Sequence, residues 1–246
     1  MGSPWIIAHR GASGHAPENT MASFRKAVEL GATFIETDLR LSHDARFVAI
    51  HDAALDRTTN GRGLVRDFTL DQLRELDAGS WFGPEFAGEK IPTIEEILAF
   101  AREADVVFYL EIKHDAAAWG MHHGLATALR AAGEAARTVV ISFDPRILKN
   151  LRCLDATQLT GLLFELPLEN PVEAALNVGA RQLAPRADLV TPELMQQARE
   201  AGMQVVAWTV NETEQMQALA AAGVNGIITN YPDRMRDAFR KLAPAS

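Results

Sequence analysis

Residues 106–113 read VVFYLEIK, a short and almost wholly apolar run that ends in a carboxylate and an amine. Its length and composition predict a strand over 106–112 that is buried on both faces, as in a parallel sheet. Seven further runs of this kind lie along the chain, at 5–8, 34–41, 138–142, 159–164, 182–184, 204–210 and 226–229. A shorter strand-like piece at 47–50 is expected to pair with the run at 34–41.

Amphipathic stretches with helix-start signals separate these runs. Asp144, Asn170 and Thr191 each precede a proline, which suits the N-cap and first positions of a helix. Capping-box spacing, with a Glu three positions after the capping residue, occurs at Thr93, Asn170 and Asn211. Eight strands that alternate with helices in 246 residues predict a TIM (β/α)₈ barrel. An open doubly wound sheet is the alternative, because periodicity alone does not show closure.

The segment 52–92 interrupts the alternation of strands and helices. It contains NGRGLV and DAGSWFGPEF and has no strand–helix unit of normal length. Unstructured connections longer than about 12–15 residues are uncommon in compact domains and are often functional. We therefore expect one barrel domain over 1–246, with a small inserted subdomain at about 52–92 after the second strand.

Composition and charge exclude several classes of protein. The chain has 24 Lys and Arg against 32 Asp and Glu, a net charge of −8, which argues against a nucleic-acid partner. Cys153 is the only cysteine, so no intramolecular disulfide can form, and we expect it to be a small buried side chain. The first residues, MGSPWIIAHR, lack the features of a secretion signal, and no run of about 20 apolar residues could span a bilayer. We expect a cytoplasmic protein without a membrane span.

Three carboxylates lie near the ends of two predicted strands. Glu36 and Asp38 are two positions apart, so both project from one face of the second strand. Glu111 and Lys113 have the same spacing at the end of the run that begins at residue 106. The carboxyl ends of barrel strands carry the active sites of such folds. Carboxylates without thiols favour a hard divalent cation, Mg²⁺ or Ca²⁺, over zinc.

Two histidines also follow apolar runs, His9 after the first run and His51 after the piece at 47–50. Histidine titrates near neutral pH, so two that are not metal ligands suit general acid and base catalysis. Taken singly, each charged residue could be an ordinary ion-paired or hydrogen-bonded side chain. Their concentration at consecutive strand ends, with Arg10 beside His9, favours a site, because buried charges need each other or an ion. His122 and His123 are expected to be solvated.

These residues lie in motifs that resemble the glycerophosphodiester phosphodiesterase family and occur in that family's order over nearly the whole chain. The motifs are AHRGASGHAPENT (8–20), ETDLRLSHDARFVAIHD (36–52), LDRTTNGRG (55–63), LDAGSWF (76–82), IPTIEEIL (91–98), YLEIK (109–113), VVISF (139–143), VAWTVN (206–211) and GVNGIITNYPD (223–233). Two departures from the usual pattern, SHDAR at 42–46 and Asn225, fall outside the proposed catalytic set.

The resemblance implies a TIM barrel with an inserted domain that uses a divalent metal to hydrolyse small glycerophosphodiesters. The residue roles that it implies are metal ligation by Glu36, Asp38 and Glu111, acid/base catalysis by His9 and His51, phosphate contact by Arg10 and Lys113, and a pocket wall from Trp208.

Cleavage is expected to yield glycerol 3-phosphate and an alcohol through a cyclic phosphate. One alternative is a lyase-like phospholipase that stops at the cyclic phosphate, and another is a catalytically inactive barrel that acts as a binding module. We also expect the aromatic residues Trp81, Phe82 and Phe86 of the segment 52–92 to cover the pocket and to select the alcohol head group.

Overall fold

The computed structural model describes residues 3–113 and 121–240, and its strands agree closely with the predicted ones. The strands within those ranges are β1 (Trp5–His9), β2 (Phe34–Leu41), β3 (Phe47–Ala49), β4 (Val107–Ile112), β5 (Thr138–Ser142), β6 (Leu159–Phe164), β7 (Gln182–Pro185), β8 (Gln204–Ala207) and β9 (Gly226–Thr229). Each begins within one residue of the predicted start, because short apolar runs bounded by polar residues mark buried strands well.

Eight of these strands form a closed parallel barrel. The ring closes because β1 pairs in parallel with β2 on one side and with β9 on the other. The predicted TIM barrel is therefore confirmed, and the open sheet is excluded. β3 lies outside the ring and pairs antiparallel with the last residues of β2, from Leu39 to Leu41.

Helices pack around the outside of the barrel. Those of the described residues are α1 (Met21–Glu29), α2 (Leu70–Glu75), α3 (Ile94–Ala104), α4 (Met121–Ala132), α5 (Pro145–Leu154), α6 (Pro171–Asn177), α7 (Pro192–Glu200), α8 (Thr213–Ala222) and α9 (Pro232–Arg240). The predicted capping box at Thr93 is present in full, and the side chains of Asp144 and Thr191 cap α5 and α7 as expected. No helix in the described part of the chain is both long and apolar enough to traverse a bilayer.

One predicted helix cap is wrong, and another lacks its capping hydrogen bond. Asn170 is the N-cap of α6 as predicted, with Pro171 in the first turn, but its side chain makes no capping hydrogen bond, because its backbone lies at φ −134° and ψ 75°, outside the usual extended cap geometry. Asn211 does not cap α8, whose N-cap is Glu212. The Oδ1 atom of Asn211 instead accepts a hydrogen bond from the backbone N–H of Asn230 at 3.0 Å, so this side chain joins the β8 and β9 loops.

Two further expectations need correction. The strand predicted over 204–210 ends at Ala207, and beyond it Trp208 forms only a single bridge to Arg186. Cys153 is exposed and not buried. It lies two positions after Leu151, which belongs to the buried face of α5, and a two-residue step on a helix turns a side chain away from that face.

The alternation of strand residues places the functional side chains inside the barrel mouth. Ile7 and Tyr109 belong to the apolar cluster that fills the barrel interior. His9 and Glu111 lie two positions further along the same strands, so they point to the same side, nearer the carboxyl ends. The register pairs His9 with Glu36 and Asp38 with Glu111, which brings β1, β2 and β4 residues together.

The segment 52–92 packs around an apolar cluster that it shares with β3. It contains α2 and two short 3₁₀ helices, Val65–Asp67 and Pro84–Phe86. The buried members of the cluster are Val48, Ile50, Leu55, Val65, Leu73, Ala78 and Ile91. The segment therefore has apolar packing of its own, beside the mouth of the barrel and next to His51.

Candidate active site at the carboxyl end of the barrel

The eight residues singled out in the sequence meet at one cavity. The cavity has a volume of about 190 Å³ and lies at the carboxyl ends of the parallel strands. Seven of the eight residues line it, namely His9, Arg10, Glu36, His51, Glu111, Lys113 and Trp208. The eighth, Asp38, is wholly buried beneath it, with Oδ1 2.7 Å from the Nζ atom of Lys113.

Glu36, Asp38 and Glu111 form a buried carboxylate cluster. One oxygen from each lies within 4.8 Å of those of the other two. Glu36 is 1% exposed, and within the described residues its Oε1 has no hydrogen-bond partner. Its other oxygen, Oε2, accepts the backbone N–H of Arg10 at 2.9 Å. A buried carboxylate oxygen without a donor is costly, so this cluster needs either a proton or a cation.

Two cationic side chains offset part of that negative charge. The Nζ atom of Lys113 lies 2.5 Å from Glu111 Oε1 as well as 2.7 Å from Asp38 Oδ1. Arg10 brings its Nε to 3.3 Å from Asp38 Oδ2, an ion-pair distance without the alignment of a hydrogen bond. Burial raises the pKa of Asp38. The charges of Lys113 and Arg10 lower this pKa by more than burial raises it, so it falls below the ordinary value.

The other two carboxylates shift in the opposite direction. Burial raises the pKa of Glu36 well above its usual value, and the neighbouring charges of Asp38 and Glu111 raise it further. Burial and the charge of Asp38 raise the pKa of Glu111 to about 7, although Lys113 opposes the shift. Three carboxylates against two cations thus leave unbalanced charge, which either a proton or a metal ion can relieve.

His9 and His51 are held in similar ways. His9 Nδ1 lies 2.6 Å from Asn230 Oδ1, and His51 Nδ1 lies 2.7 Å from Asp52 Oδ1. Since both partners are acceptors, each Nδ1 is assigned the hydrogen and each Nε2 the lone pair. Burial, followed by the charge of Arg10, lowers the pKa of His9 to about 4. Burial and the charge of Lys113 also lower the pKa of His51, against the opposing effect of Asp38.

A chain of ion pairs connects Arg10, the neighbour of His9, with Asp52, the partner of His51. The sequence analysis did not predict this chain. Arg57 donates to both oxygens of Glu18 at 2.8 Å and to Asp52 Oδ2 at 2.7 Å. Glu18 in turn accepts from Arg10 at 2.8 Å, while Asp52 holds His51. The hydrogen bond from Arg57 lowers the pKa of Asp52. Glu18 and Arg57 lie within the motifs at 8–20 and 55–63, so the motifs contained the signal.

Asn19 is a second residue that the sequence analysis passed over. Its Nδ2 donates to Asp38 Oδ2 at 2.8 Å, and its Oδ1 accepts from Thr37 Oγ1 at 2.7 Å. Both Asn19 and Arg10 have φ values of 55°, in the left-handed region that side chains other than glycine rarely adopt. Such strained backbone is concentrated at functional sites, which supports assigning both residues to the site.

The opposite wall of the cavity is aromatic and carries few charges. Phe143 and Trp208 meet edge to face, with centroids 5.5 Å apart, and Trp208 Nε1 donates to Ala184 O at 2.7 Å. The remaining lining residues on this side are Ile141, Leu163, Glu165, Thr209 and Ile228. Among the described residues, none from the segment 52–92 lines the cavity.

Trp81, Phe82 and Phe86, which were expected to cover the pocket, do not line the cavity. Phe82 packs edge to face against both of the other rings, with centroids 5.6 Å and 5.5 Å apart. Trp81 Nε1 donates to the carbonyl oxygen of Ala78 at 2.9 Å. The three rings contact one another within the segment, and their selection of the head group stays a prediction.

Comparison with known proteins shows the family of the chain. The model of the glycerophosphoryl diester phosphodiesterase family matches residues 9–234, which include every candidate site residue. The chain belongs to this family. The resemblance inferred from the sequence motifs is thereby confirmed.

Curated members of the glycerophosphoryl diester phosphodiesterase family match over almost their full length. A glycerophosphodiester phosphodiesterase of Caldanaerobacter subterraneus subsp. tengcongensis is 39% identical, over 96% of this chain and 98% of its own. One from Bacillus subtilis is 35% identical, over 92% of this chain and 83% of its own. An Oleispira antarctica phosphodiesterase, solved with its product sn-glycerol-3-phosphate, is 28% identical, with a TM-score of 0.88 over 97% of each chain.

The residues fit the metal that the family uses. The glycerophosphoryl diester phosphodiesterase family is metal-dependent, and the buried carboxylate cluster could hold a divalent ion. Three oxygen ligands suit a hard cation. The unpartnered Glu36 Oε1 is the observation that favours such an ion, because a cation would supply the partner that the described residues do not.

Proposed function

We propose that this protein hydrolyses glycerophosphodiesters to glycerol 3-phosphate and an alcohol in a reaction that depends on a divalent cation. The observation that carries the proposal is the convergence of three buried carboxylates, two histidines and two cations on one cavity. Glu36, Asp38 and Glu111 would hold the cation, Mg²⁺ or Ca²⁺. When bound, it would neutralise the phosphodiester and stabilise charge that develops on its oxygens.

Arg10 and Lys113 bind and orient the phosphate in this proposal. Each already contacts a carboxylate of the cluster, and each is largely buried, with side chains 17% and 12% exposed. Partial burial makes their attraction for a phosphate oxygen stronger than it would be in water. Arg10 is also held by Glu18, so its guanidinium is oriented before substrate arrives.

His9 and His51 move the protons. One imidazole Nε2 accepts the proton of the glycerol 2-hydroxyl as this oxygen forms a bond to phosphorus. The other, in its protonated form, gives a proton to the alcohol oxygen as its bond to phosphorus breaks. The product of this first step is glycerol 1,2-cyclic phosphate. The hydrogen bonds of Nδ1 to Asn230 and Asp52 support these roles, because they leave each Nε2 available.

Water then opens the cyclic phosphate. Its oxygen bonds to phosphorus, its proton passes to one histidine, and the bond to the 2-oxygen breaks as that oxygen takes a proton from the other. Intramolecular attack in the first step can gain an effective molarity of about 10⁵–10⁸ M when the reacting atoms are well aligned. This gain supports the cyclic route over direct attack by water.

The test compares glycerophosphocholine with its 2-deoxy analogue at saturating Mg²⁺. The cyclic route predicts poor turnover of the analogue and competent turnover of synthetic glycerol 1,2-cyclic phosphate. Equal rates for the two diesters would replace the cyclic route with direct attack by water. Accumulation of the cyclic phosphate, without glycerol 3-phosphate, would favour the lyase-like alternative. The complete set of His9, Glu36, Asp38, His51 and Glu111 argues against an inactive binding module.

We also propose that residues 52–92 form an inserted subdomain that supports His51 and Glu18. Its own apolar cluster and the two-sided contact of Arg57 with Asp52 and Glu18 support this role. The subdomain would thus fix the catalytic groups from outside the barrel, without lining the cavity.

A further inference from the structure

One corner of the cavity is lined by residues that do not belong to the carboxylate cluster. Phe143, Glu165 and Trp208 follow β5, β6 and β8, so they lie at the carboxyl ends of three barrel strands. All three line the cavity that also holds His9 and Lys113. None of the three has a part in the proposed proton transfers or in metal ligation, so their contribution must be sought elsewhere.

The carboxylate of Glu165 is available to a ligand. Within residues 3–113 and 121–240, no cationic side chain forms an ion pair with it, and Glu165 is exposed. Arg186 follows β7 and donates to Asp188 at 2.6 Å and 2.8 Å. The pKa of Arg186 is raised by this hydrogen bond and by the charges of Asp188 and Glu165, so Arg186 interacts with Glu165 through space but is held by Asp188. Glu165 therefore lines the cavity without an ion pair among the described residues, and Arg10 and Lys113 line the same cavity.

The aromatic pair gives this corner a fixed shape. The Phe143 and Trp208 rings stand at 86° to one another, so together they form two walls of the corner. The bond from Trp208 Nε1 to Ala184 O holds the indole, while Phe143 remains 38% exposed at the rim. A rigid aromatic corner costs little ordering on binding, and ring faces attract quaternary ammonium groups.

We propose that Phe143, Glu165 and Trp208 form a subsite for a cationic alcohol head group, so that zwitterionic diesters with a quaternary ammonium, such as glycerophosphocholine, are the preferred substrates. This inference rests on the proposed phosphodiesterase function. The distribution of charges over the strands supports it, because the cations Arg10 and Lys113 follow β1 and β4, whereas Glu165 and the aromatic rings follow β5, β6 and β8. A zwitterion likewise has its opposite charges at separate positions.

A pair of isosteric substrates isolates the effect of the charge. Glycerophosphocholine and the 3,3-dimethylbutyl ester of glycerol 3-phosphate have nearly the same shape, but only the first has a positive head group. We expect kcat/KM for the choline ester to exceed that for the neutral ester by about tenfold, mainly through KM, as cation–π contact and an exposed ion pair together allow. The preference should shrink as salt screens Glu165.

Two variants test the residues. Glu165→Gln should lower the ratio of the two kcat/KM values about fivefold, because it removes the charge and keeps the shape. Phe143→Leu should also lower the ratio, since leucine preserves apolar contact but has no π face. Glu169→Gln is the matched control, because Glu169 is an exposed carboxylate of the same loop that does not line the cavity. It should leave the ratio unchanged.

The outcomes separate this inference from the function on which it rests. If the wild-type protein hydrolyses both esters at equal kcat/KM, the subsite is overturned while the phosphodiesterase function stands. A preference that survives in Glu165→Gln and Phe143→Leu would place recognition of the cation elsewhere and would also overturn the proposal. If neither ester is hydrolysed with Mg²⁺, Ca²⁺ or Mn²⁺, the function itself fails and the subsite falls with it.

Discussion

The two halves of the barrel mouth are built in different ways. The half formed by β1, β2 and β4 presents buried charges, each of which contacts another member of the set. The half formed by β5, β6 and β8 presents two aromatic rings and one carboxylate, Glu165, that forms no ion pair with the described side chains. The comparison suggests that reaction chemistry needs a mutually constrained cluster, whereas recognition of a head group needs only shape and one charge.

This difference predicts how substitutions combine. Within the first half, a single residue, Asp38, contacts Lys113, Arg10 and Asn19. A change at one residue of this half therefore alters the charge environment of the others. Residues that share a network show non-additive effects, while separated sites usually add. Substitutions in the charged half should therefore affect every substrate, and those in the aromatic half should affect substrates selectively.

The largest effect is expected for Asp38→Asn. The amide keeps the shape of the side chain but loses the charge that pairs with Lys113 and Arg10, together with one metal ligand. We expect kcat/KM for every glycerophosphodiester to fall at least about 10³-fold, since metal stabilisation supplies several kcal/mol and about 1.4 kcal/mol corresponds to a decade. The measurements are steady-state kinetics at saturating Mg²⁺ and Mg²⁺ affinity by calorimetry.

The matched control for Asp38→Asn is Asp237→Asn, which removes an exposed carboxylate that pairs with Arg236 on α9. It should leave activity within about twofold of wild type, as surface substitutions usually do. EDTA should abolish turnover of the wild-type protein, and Mg²⁺ or Ca²⁺ should restore it. Full activity of Asp38→Asn, or of wild type in EDTA, would remove the metal from the proposed function.

The next effect is expected for the two histidines. Replacing either His9 or His51 by Ala should lower kcat by about 10²–10⁴-fold, the usual contribution of general acid or base catalysis. Mg²⁺ affinity should stay within about threefold, because neither histidine belongs to the carboxylate cluster. His123→Ala, at an exposed position on α4, is the control. A variant that loses metal affinity along with activity would make that histidine a ligand.

A smaller loss is expected for Arg57→Gln. Arg57 is a positioning residue, since it bridges Asp52 and Glu18 and does not line the cavity. Loss of such supporting contacts typically costs about 10–100-fold. The loss should fall mainly on kcat, and Arg57→Lys should recover only part of it, because lysine cannot donate bidentately to Glu18.

Arg46→Gln is the control for Arg57, because it breaks an exposed ion pair with Glu95 on the surface. Its kcat should match that of wild type. If Arg57→Gln lowers the melting temperature while its kcat is unchanged, Arg57 supports folding and has no part in orienting His51. Such a result would show that the charged half ends at the cavity and does not include the subdomain.

The sequence predicted the barrel and the charged half of the mouth well. Apolar runs such as that at 106–112 mark buried strands, and polar residues at their ends, such as Glu111, mark the carboxyl-end cluster. Chain-distant contacts were not predictable, because they depend on side-chain positions after folding. Asn230, for example, contacts His9 across 221 residues of chain. Phe143 lies in the motif at 139–143, but its position at the cavity likewise depends on barrel closure.

The smallest effect is expected for Trp81→Ala, and it tests whether the subdomain also reads the head group. Trp81 is held within its own segment by Phe82 and by the carbonyl of Ala78, and it does not line the cavity. The kcat/KM ratio for the choline and 3,3-dimethylbutyl esters should therefore stay within about twofold of wild type. Trp208→Ala, the same substitution in the aromatic half, should lower that ratio about fivefold. If Trp81→Ala shifts the ratio as far as Trp208→Ala does, the subdomain reaches over bound substrate. The subdomain and the aromatic half of the mouth would then both recognise the head group, as the aromatic residues of 52–92 first indicated.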